Sequence, residues 1–268
     1  MILRRLGNKN KIAKEIQKHF PPHKIYIEPF FGAGGMFFNK PKAKYNIVND
    51  MDSDVFNLFQ VVMNQKEELL NYLELMPYDQ NLFEYWKINK EIEAIPKAAR
   101  FLFLSNMSYL GKSDTMKIMF CTSLNSLMKN INGCNNFSRT KFSNLDFRKF
   151  LNAIEYKKDG RNDEKKTLIY NDPPYLGTGN NYNANNWNEK DALDLFSENI
   201  KLGERGAKFA ISEFNNPFIL DLAKQYNLEV ITIGERQNLK NRRTEILIVN
   251  YESPALYGLF GSRNLCAV

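Results

Sequence analysis

The sequence predicts an α/β fold, with two α/β pieces separated by a mainly helical insert. Three observations predict it. Short apolar runs alternate with amphipathic stretches of helical spacing, a glycine-rich turn directly follows the first run, and two prolines stop a strand late in the chain. The 268 residues are 43% hydrophobic and 25% charged, which suffices for a sizeable core and is ordinary for a globular protein.

The spacing predicts a first helix over 9–19, ended by Pro21 and Pro22. A strand over 24–28 leads into the turn Gly32-Ala33-Gly34-Gly35, and a second strand over 45–49 ends at Asp50. From 54 to 76, Val55, Phe56, Leu58, Phe59, Val62, Met63, Leu69, Leu70 and Leu73 recur at helical spacing. Helices also fit 81–92 and 96–109, the latter with Pro96 in its first turn. Residues 111–139 have weak periodicity and many Lys, Ser and Asn residues, which reads as loop or hairpin. Later strands fit 141–145, 167–171, 207–211, 228–233 and 245–251, with helices over 147–154, 189–202 and 217–226. The expected division is a discontinuous domain of 1–54 and 139–268 carrying an insert of 55–138. The asparagine-rich stretch 177–188 reads as a loop.

Composition removes several function classes. No apolar stretch approaches bilayer-spanning length, and the basic start has no apolar run behind it, so a cytoplasmic protein is expected. Cys121, Cys134 and Cys266 lie far apart, which suits neither a disulfide framework nor a zinc site. The histidines, His19 and His23, flank a Pro-Pro turn, so histidine triads and metal-hydrolase sites are poor candidates and no metal is expected. A net charge of +7 favours a polyanionic partner through counterion release, although a basic solvated surface reads equally well.

The most informative tetrapeptide is Asp172-Pro173-Pro174-Tyr175. Two prolines cannot continue a central ladder, so the strand stops and a rigid loop begins. Ligands collect at the carboxyl ends of strands in open α/β sheets. There the Asp172 carboxylate and Pro173 carbonyl can accept both hydrogens of an exocyclic amine, and Tyr175 can stack on its ring. The same residues also read as a strand-ending turn with a structural aspartate and a packed tyrosine. In the earlier turn, glycines allow close backbone approach, and Asp50 closes the next strand where an acid can bind ribose hydroxyls. That turn is not a full GxGxxG, because Phe37 takes the place of the third glycine, nor is it a phosphate loop.

Together, Arg5-Leu6-Gly7-Asn8-Lys9, Glu28-Pro29-Phe30-Phe31-Gly32-Ala33-Gly34, Asn49-Asp50, Asp172-Pro173-Pro174-Tyr175 and the run 245–251 resemble the Dam-type DNA adenine-N6 methyltransferases, in the same order. The resemblance implies a Rossmann-like S-adenosylmethionine-dependent methyltransferase fold with a mainly helical target-recognition insertion. It implies S-adenosylmethionine as cofactor, with Arg5 and Lys9 near it, Phe30, Gly32 and Gly34 at its methionine end, and Asp50 on its ribose. Asp172 would lie beside it, and Asp146 matches the family's acid near the cofactor adenine, while also reading as a helix N-cap. Two departures stand out. Arg5 replaces a common aromatic residue, and the insert run 104–113 lacks the family's Asn-Arg…Asn-Gly-Leu…Arg pattern, so no recognition sequence carries over.

The implied reaction is transfer of a methyl group to adenine N6 in double-stranded DNA after base flipping. The implied setting is a monomer or weak dimer, with or without a cognate restriction endonuclease. Candidate DNA contacts are Lys112, Lys117, Lys129, Arg139 and Lys141 in and beside the insert, and Arg236, Lys240, Arg242 and Arg243 near the end. Asn180, Tyr182 and Trp187 read as part of a loop that closes over a flipped base or, equally, as simple exposed-loop packing. Competing readings are methylation of cytosine N4, of RNA or of a protein amide, and a catalytically silent DNA-binding subunit.

Overall fold

The computed structural model describes residues 2–3, 7–108, 122–134, 137–156, 163–177, 187–237 and 242–255. Its strands are β1 (Ile25–Glu28), β2 (Tyr45–Asn49), β3 (Thr140–Ser143), β4 (Thr167–Asn171), β5 (Lys208–Phe214), β6 (Glu229–Gln237) and β7 (Arg242–Val249). They form one sheet in the order β3-β2-β1-β4-β5-β7-β6. The five strands β3 to β5 in that order run parallel, while β7 enters antiparallel between β5 and β6. This is the Rossmann-like sheet expected of a methyltransferase fold.

Helices cover both faces, as a parallel sheet requires. One face carries Tyr26, Val48, Leu168, Tyr170, Ala210, Leu247 and Val249. The same apolar cluster takes in α1 (Ala13–Gln17), α2 (Ser53–Asn64) and the further helices of the insert, α3 (Lys66–Leu75), α4 (Gln80–Ile88), α5 (Ala94–Met107) and α6 (Thr122–Asn132). The opposite face carries Ile27, Ile169, Ile211, Ile246 and Ile248 under α7 (Phe147–Asn152), α8 (Glu189–Glu204) and α9 (Pro217–Gln225). The side-chain period of two sends alternate residues of each strand into the two cores.

Three local expectations need correction. The helix expected over 9–19 is a 3-10 turn at Lys9–Lys11 followed by the short α1, because Lys9 is drawn inward and its first turn tightens around Ile12. The helical stretch expected over 54–76 is two helices, α2 and α3, broken where Gln65 leaves helical geometry at φ −138°. Within 111–139, α6 replaces part of the expected loop or hairpin. Its Leu124, Leu127, Met128 and Ile131 recur at helical spacing, and Leu127 and Ile131 are buried. Residues 109–121 and 135–136 lie outside the described residues. The expected boundary at 54/55 falls inside α2.

Candidate active site

The chain leaves β1 toward β2 and β3, then returns to add β4 on the other side. The adjacent β1 and β4 therefore form the switch point at which open α/β sheets open a crevice at their carboxyl ends. Two turns meet there, one after each strand.

The turn after β1 is shaped by glycine. Gly32 and Gly34 adopt left-handed φ values of 53° and 69°. The Asp50 carboxylate holds the turn, accepting from the Gly32 amide at 2.6 Å through one oxygen and from the Asp52 amide at 2.9 Å through the other. Asn49 ties the ends of three strands together. Its amide donates to the Pro29 and Leu145 carbonyls, and its oxygen accepts from the Leu145 amide at 3.0 Å. A Cβ on Gly35 would lie 3.1 Å from the Lys9 and Asn10 backbone nitrogens, so the segment around Lys9 packs directly on this turn. A Cβ on Gly32, by contrast, would meet nothing within 4 Å. That open flank, beside the acid Asp50 and the half-buried Phe30, fits a ribosylated sulfonium cofactor approaching the backbone.

The turn after β4 is shaped by proline. β4 ends at Asn171, whose buried amide donates to Asn199 of α8 at 2.9 Å and to the Ala210 carbonyl at 3.3 Å. Asp172 follows at once, with a fifth of its side chain exposed, and accepts from the buried Lys9 ammonium at 2.5 Å. Lys9 Nζ also lies 3.5 Å from Glu245 Oε1 and 4.6 Å from the centre of the Tyr175 ring. The Tyr175 hydroxyl donates to the same Glu245 oxygen at 2.9 Å, and its ring meets Phe214 edge-on. Burial, reinforced by the Asp172 charge, holds the Tyr175 hydroxyl well above its usual range, so it remains a donor. Pro173 is buried and Pro174 half-buried. Lys9, 163 residues before Asp172 in the chain, thus meets both Asp172 and Tyr175 of the proline turn.

A third grouping lies by the cofactor-side expectation for Phe30. Its ring packs 5.4 Å from Phe147 and 5.7 Å from Trp187. Asp146 caps α7 through the Arg148 amide at 2.9 Å and pairs with the Arg148 guanidinium at 3.3 Å, which Asp191 and Asp194 also hold. The helix-cap reading of Asp146 is therefore realised.

The basic candidates are more dispersed. Lys129 is exposed on α6, and Arg139 is exposed in the turn before β3, with φ 58°. The backbones of Arg236 and Arg243 pair across the β6–β7 hairpin, and that of Arg242 pairs with Gln237. Arg243 bends back to donate to the Gly177 carbonyl at 3.4 Å and lies 5.4 Å from the centre of the Phe214 ring, beside the proline turn. Arg5, Lys112, Lys117, Asn180, Tyr182 and Lys240 lie outside the described residues.

Sequence reasoning missed two acids that grip the proline turn. Glu245 faces the same way as Leu247 and Val249, both fully buried, and Glu213 faces the same way as Phe209 and Ile211. An acid on an otherwise apolar strand face was the available signal, because a buried carboxyl must find partners. Glu213 accepts from the Leu176 amide at 2.9 Å and the Phe214 amide at 2.6 Å. Burial pushes its carboxyl up to about 8, against the opposing pull of those two amides. Its partners Glu213↔Ile246 and Phe214↔Glu245 put the two acids on opposite sheet faces, so the turn is pinned from both sides. At the end of β1, the buried Glu28 accepts from the Tyr26 hydroxyl at 2.9 Å, and burial holds its carboxyl well above the usual range.

Among the described residues no helix is long and apolar enough to cross a membrane, and no cluster of His, Cys, Asp and Glu could hold a metal ion. Comparison with known proteins extends over most of the chain. The type II methyltransferase M.MjaIII of Methanocaldococcus jannaschii is 24% identical over 91% of this chain and 96% of its own. The retron Ec67 DNA adenine methylase of Escherichia coli is 24% identical over 93% and 90% respectively. The DNA adenine methylase of Escherichia coli K12 is 30% identical over 39% of this chain and 40% of its own. A family model described as D12 class N6 adenine-specific DNA methyltransferase matches residues 6–238. With that match spanning most of its length, the chain belongs to the D12 class N6 adenine-specific DNA methyltransferase family.

Proposed function

We propose that the protein transfers a methyl group from S-adenosylmethionine to the N6 amine of an adenine flipped out of double-stranded DNA, at a specific site. The observation that carries this reading is the Asp172 to Tyr175 turn, stiffened by two prolines and held beside Lys9 at the sheet's switch point. The open flank of Gly32, with Asp50 and Phe30, supports the glycine turn as the seat of the cofactor. When bound there, S-adenosylmethionine supplies an electrophilic methyl group.

The residues of this chain do the positioning. The adenine amine is a poor nucleophile because its lone pair is delocalised into the ring. Asp172 and the Pro173 carbonyl accept its two hydrogens and favour a nitrogen with its lone pair available. Tyr175 supports the base, and a buried setting strengthens each of these contacts. Arg5, Lys9, Gly34 and Asp146 complete the cofactor's surroundings in this reading. The insert of 55–138, with Lys112, Lys117, Lys129 and Arg139, and the hairpin residues Arg236, Lys240, Arg242 and Arg243 supply contacts to DNA. The names "Type II methyltransferase" and "Modification methylase StsI" among the relatives favour a role beside a restriction endonuclease.

The test is transfer of labelled methyl groups to duplex DNA, followed by nucleoside analysis. N6-methyladenine is the expected product, and N4-methylcytosine or unlabelled DNA would refute the reading. Asp172→Ala should lower the rate by about a thousandfold or more. Glu245, already 3.5 Å from Lys9, keeps that ammonium paired in the variant, so the thermal transition should persist.

A further inference from the structure

We propose that Glu245 is a positioning residue that takes over the Lys9 ammonium from Asp172 when the target base arrives, while holding the Tyr175 ring in place. The inference rests on the reading of Asp172 as the acceptor for the amine. In the structure one ammonium is near two carboxylates, 2.5 Å from Asp172 and 3.5 Å from Glu245. Lys9 and Glu245 are almost fully buried, at 3% and 1% exposure, whereas Asp172 is partly open to the crevice.

This arrangement poses a conflict that the geometry resolves. A carboxylate engaged by an ammonium at 2.5 Å is a weakened acceptor for a neutral amine. Asp172 binds the base best when Lys9 moves away. A buried ammonium cannot be left without a partner, because an uncompensated buried charge costs several kcal/mol. Glu245 is the second acid beside the same ammonium, and its carboxylate is fixed by the Tyr175 hydroxyl at 2.9 Å. A movement of the Lys9 ammonium toward Glu245 by about an ångström would give that contact the length the Asp172 one has now, so the charge stays paired. The hydroxyl bond also couples the two events, because the acid that receives Lys9 also sets the ring supporting the base.

Two substitutions separate the charge from the hydrogen bond. Glu245→Gln keeps an oxygen for the Tyr175 hydroxyl but removes the charge that attracts Lys9, leaving the ammonium on Asp172. Single-turnover methyl transfer should then fall by about tenfold or more, equivalent to ~1.4 kcal/mol. Affinity for duplex DNA carrying 2-aminopurine at the target position, read by anisotropy, should stay within about twofold, a small change in free energy. Glu245→Ala should raise that dissociation constant as well, because the ring loses its anchor. In a double-mutant cycle, Lys9→Met should cost less in the Glu245→Gln background than in the parent, since it also frees Asp172.

A Glu245→Gln enzyme at the parental rate, or Lys9→Met and Glu245→Gln penalties that simply multiply, would overturn the proposal. Should the Gln variant fail to give a parental thermal transition, the cycle is run with Glu245→Asp, which keeps the charge and should retain most of the rate. A parent protein that leaves DNA unmethylated refutes the amine-acceptor reading itself, which is a different result.

Discussion

The two turns at the switch point solve opposite problems. The turn after β1 brings backbone close to a ligand, so it dispenses with side chains, takes left-handed geometry at Gly32 and Gly34, and is held by one acid, Asp50. The turn after β4 presents side chains, so its backbone is stiffened by Pro173 and Pro174 and gripped by two acids, Glu213 and Glu245. Flexibility of residue type is spent on approach in the first and rigidity on aim in the second. If that contrast is right, substitutions in the first turn should act through backbone fit, and those around the second through buried charge.

The largest stability effect is expected from Gly34→Ala. A Cβ there would lie 2.5 Å from the Phe38 ring and 2.8 Å from the Phe31 ring, on a backbone with φ 69°. Strain and overpacking together should cost about 3 kcal/mol. Gly32→Ala, with open space at its flank, should cost about 1–2 kcal/mol from backbone strain alone. Urea unfolding of both variants measures the difference, and equal losses would break the idea that the turn is packed on one side and open on the other.

Asp50→Ala comes next. It removes the acceptor for the Gly32 and Asp52 amides and should cost about 2 kcal/mol. Hydrogen exchange sharpens the comparison between the turns. The Gly32 amide should lose protection in this variant while the Leu176 amide, held by Glu213, keeps its own. Loss at both would mean that the turns behave as one unit.

The smallest effect is a pH dependence from Glu213. Its folded carboxyl is raised to about 8 from an ordinary 4.5. Below 4.5 both folded and unfolded states are protonated there, and its contribution to stability is fully present. As pH rises toward 8 the unfolded chain ionises while the buried group resists, so that contribution is lost. Thermal midpoints of Glu213→Gln should therefore fall less than those of the parent between about pH 5 and 8. Parallel curves for the two proteins would mean that burial does not set this group's charge.

Both turns were legible in the sequence because they are written in residues with special backbones. Pro173 and Pro174 end β4 at the expected place, and the glycines follow β1 as expected. What grips the second turn was not legible. β7 rather than the preceding β6 lies beside β5, and this antiparallel entry brings Glu245 alongside Phe214 and within hydrogen-bond reach of Tyr175. Register between distant strands leaves no local trace. Lys9 was expected near the cofactor from the resemblance, but its hold on Asp172 spans 163 residues and could not be read from spacing. The helix α6 was legible but passed over, since Leu124, Leu127, Met128 and Ile131 recur at helical spacing within a stretch whose many Lys, Ser and Asn residues read as loop.

The path of the chain through this cluster has a consequence for biosynthesis. Lys9 is made first, Asp172 follows 163 residues later and Glu245 comes only with β7. A ribosome-bound chain that has already released its glycine turn still lacks the second acid beside the ammonium. The nascent protein therefore holds a half-built charge cluster until β7 has been made. Long-range closure of this kind is slow to form because so much chain entropy is lost first.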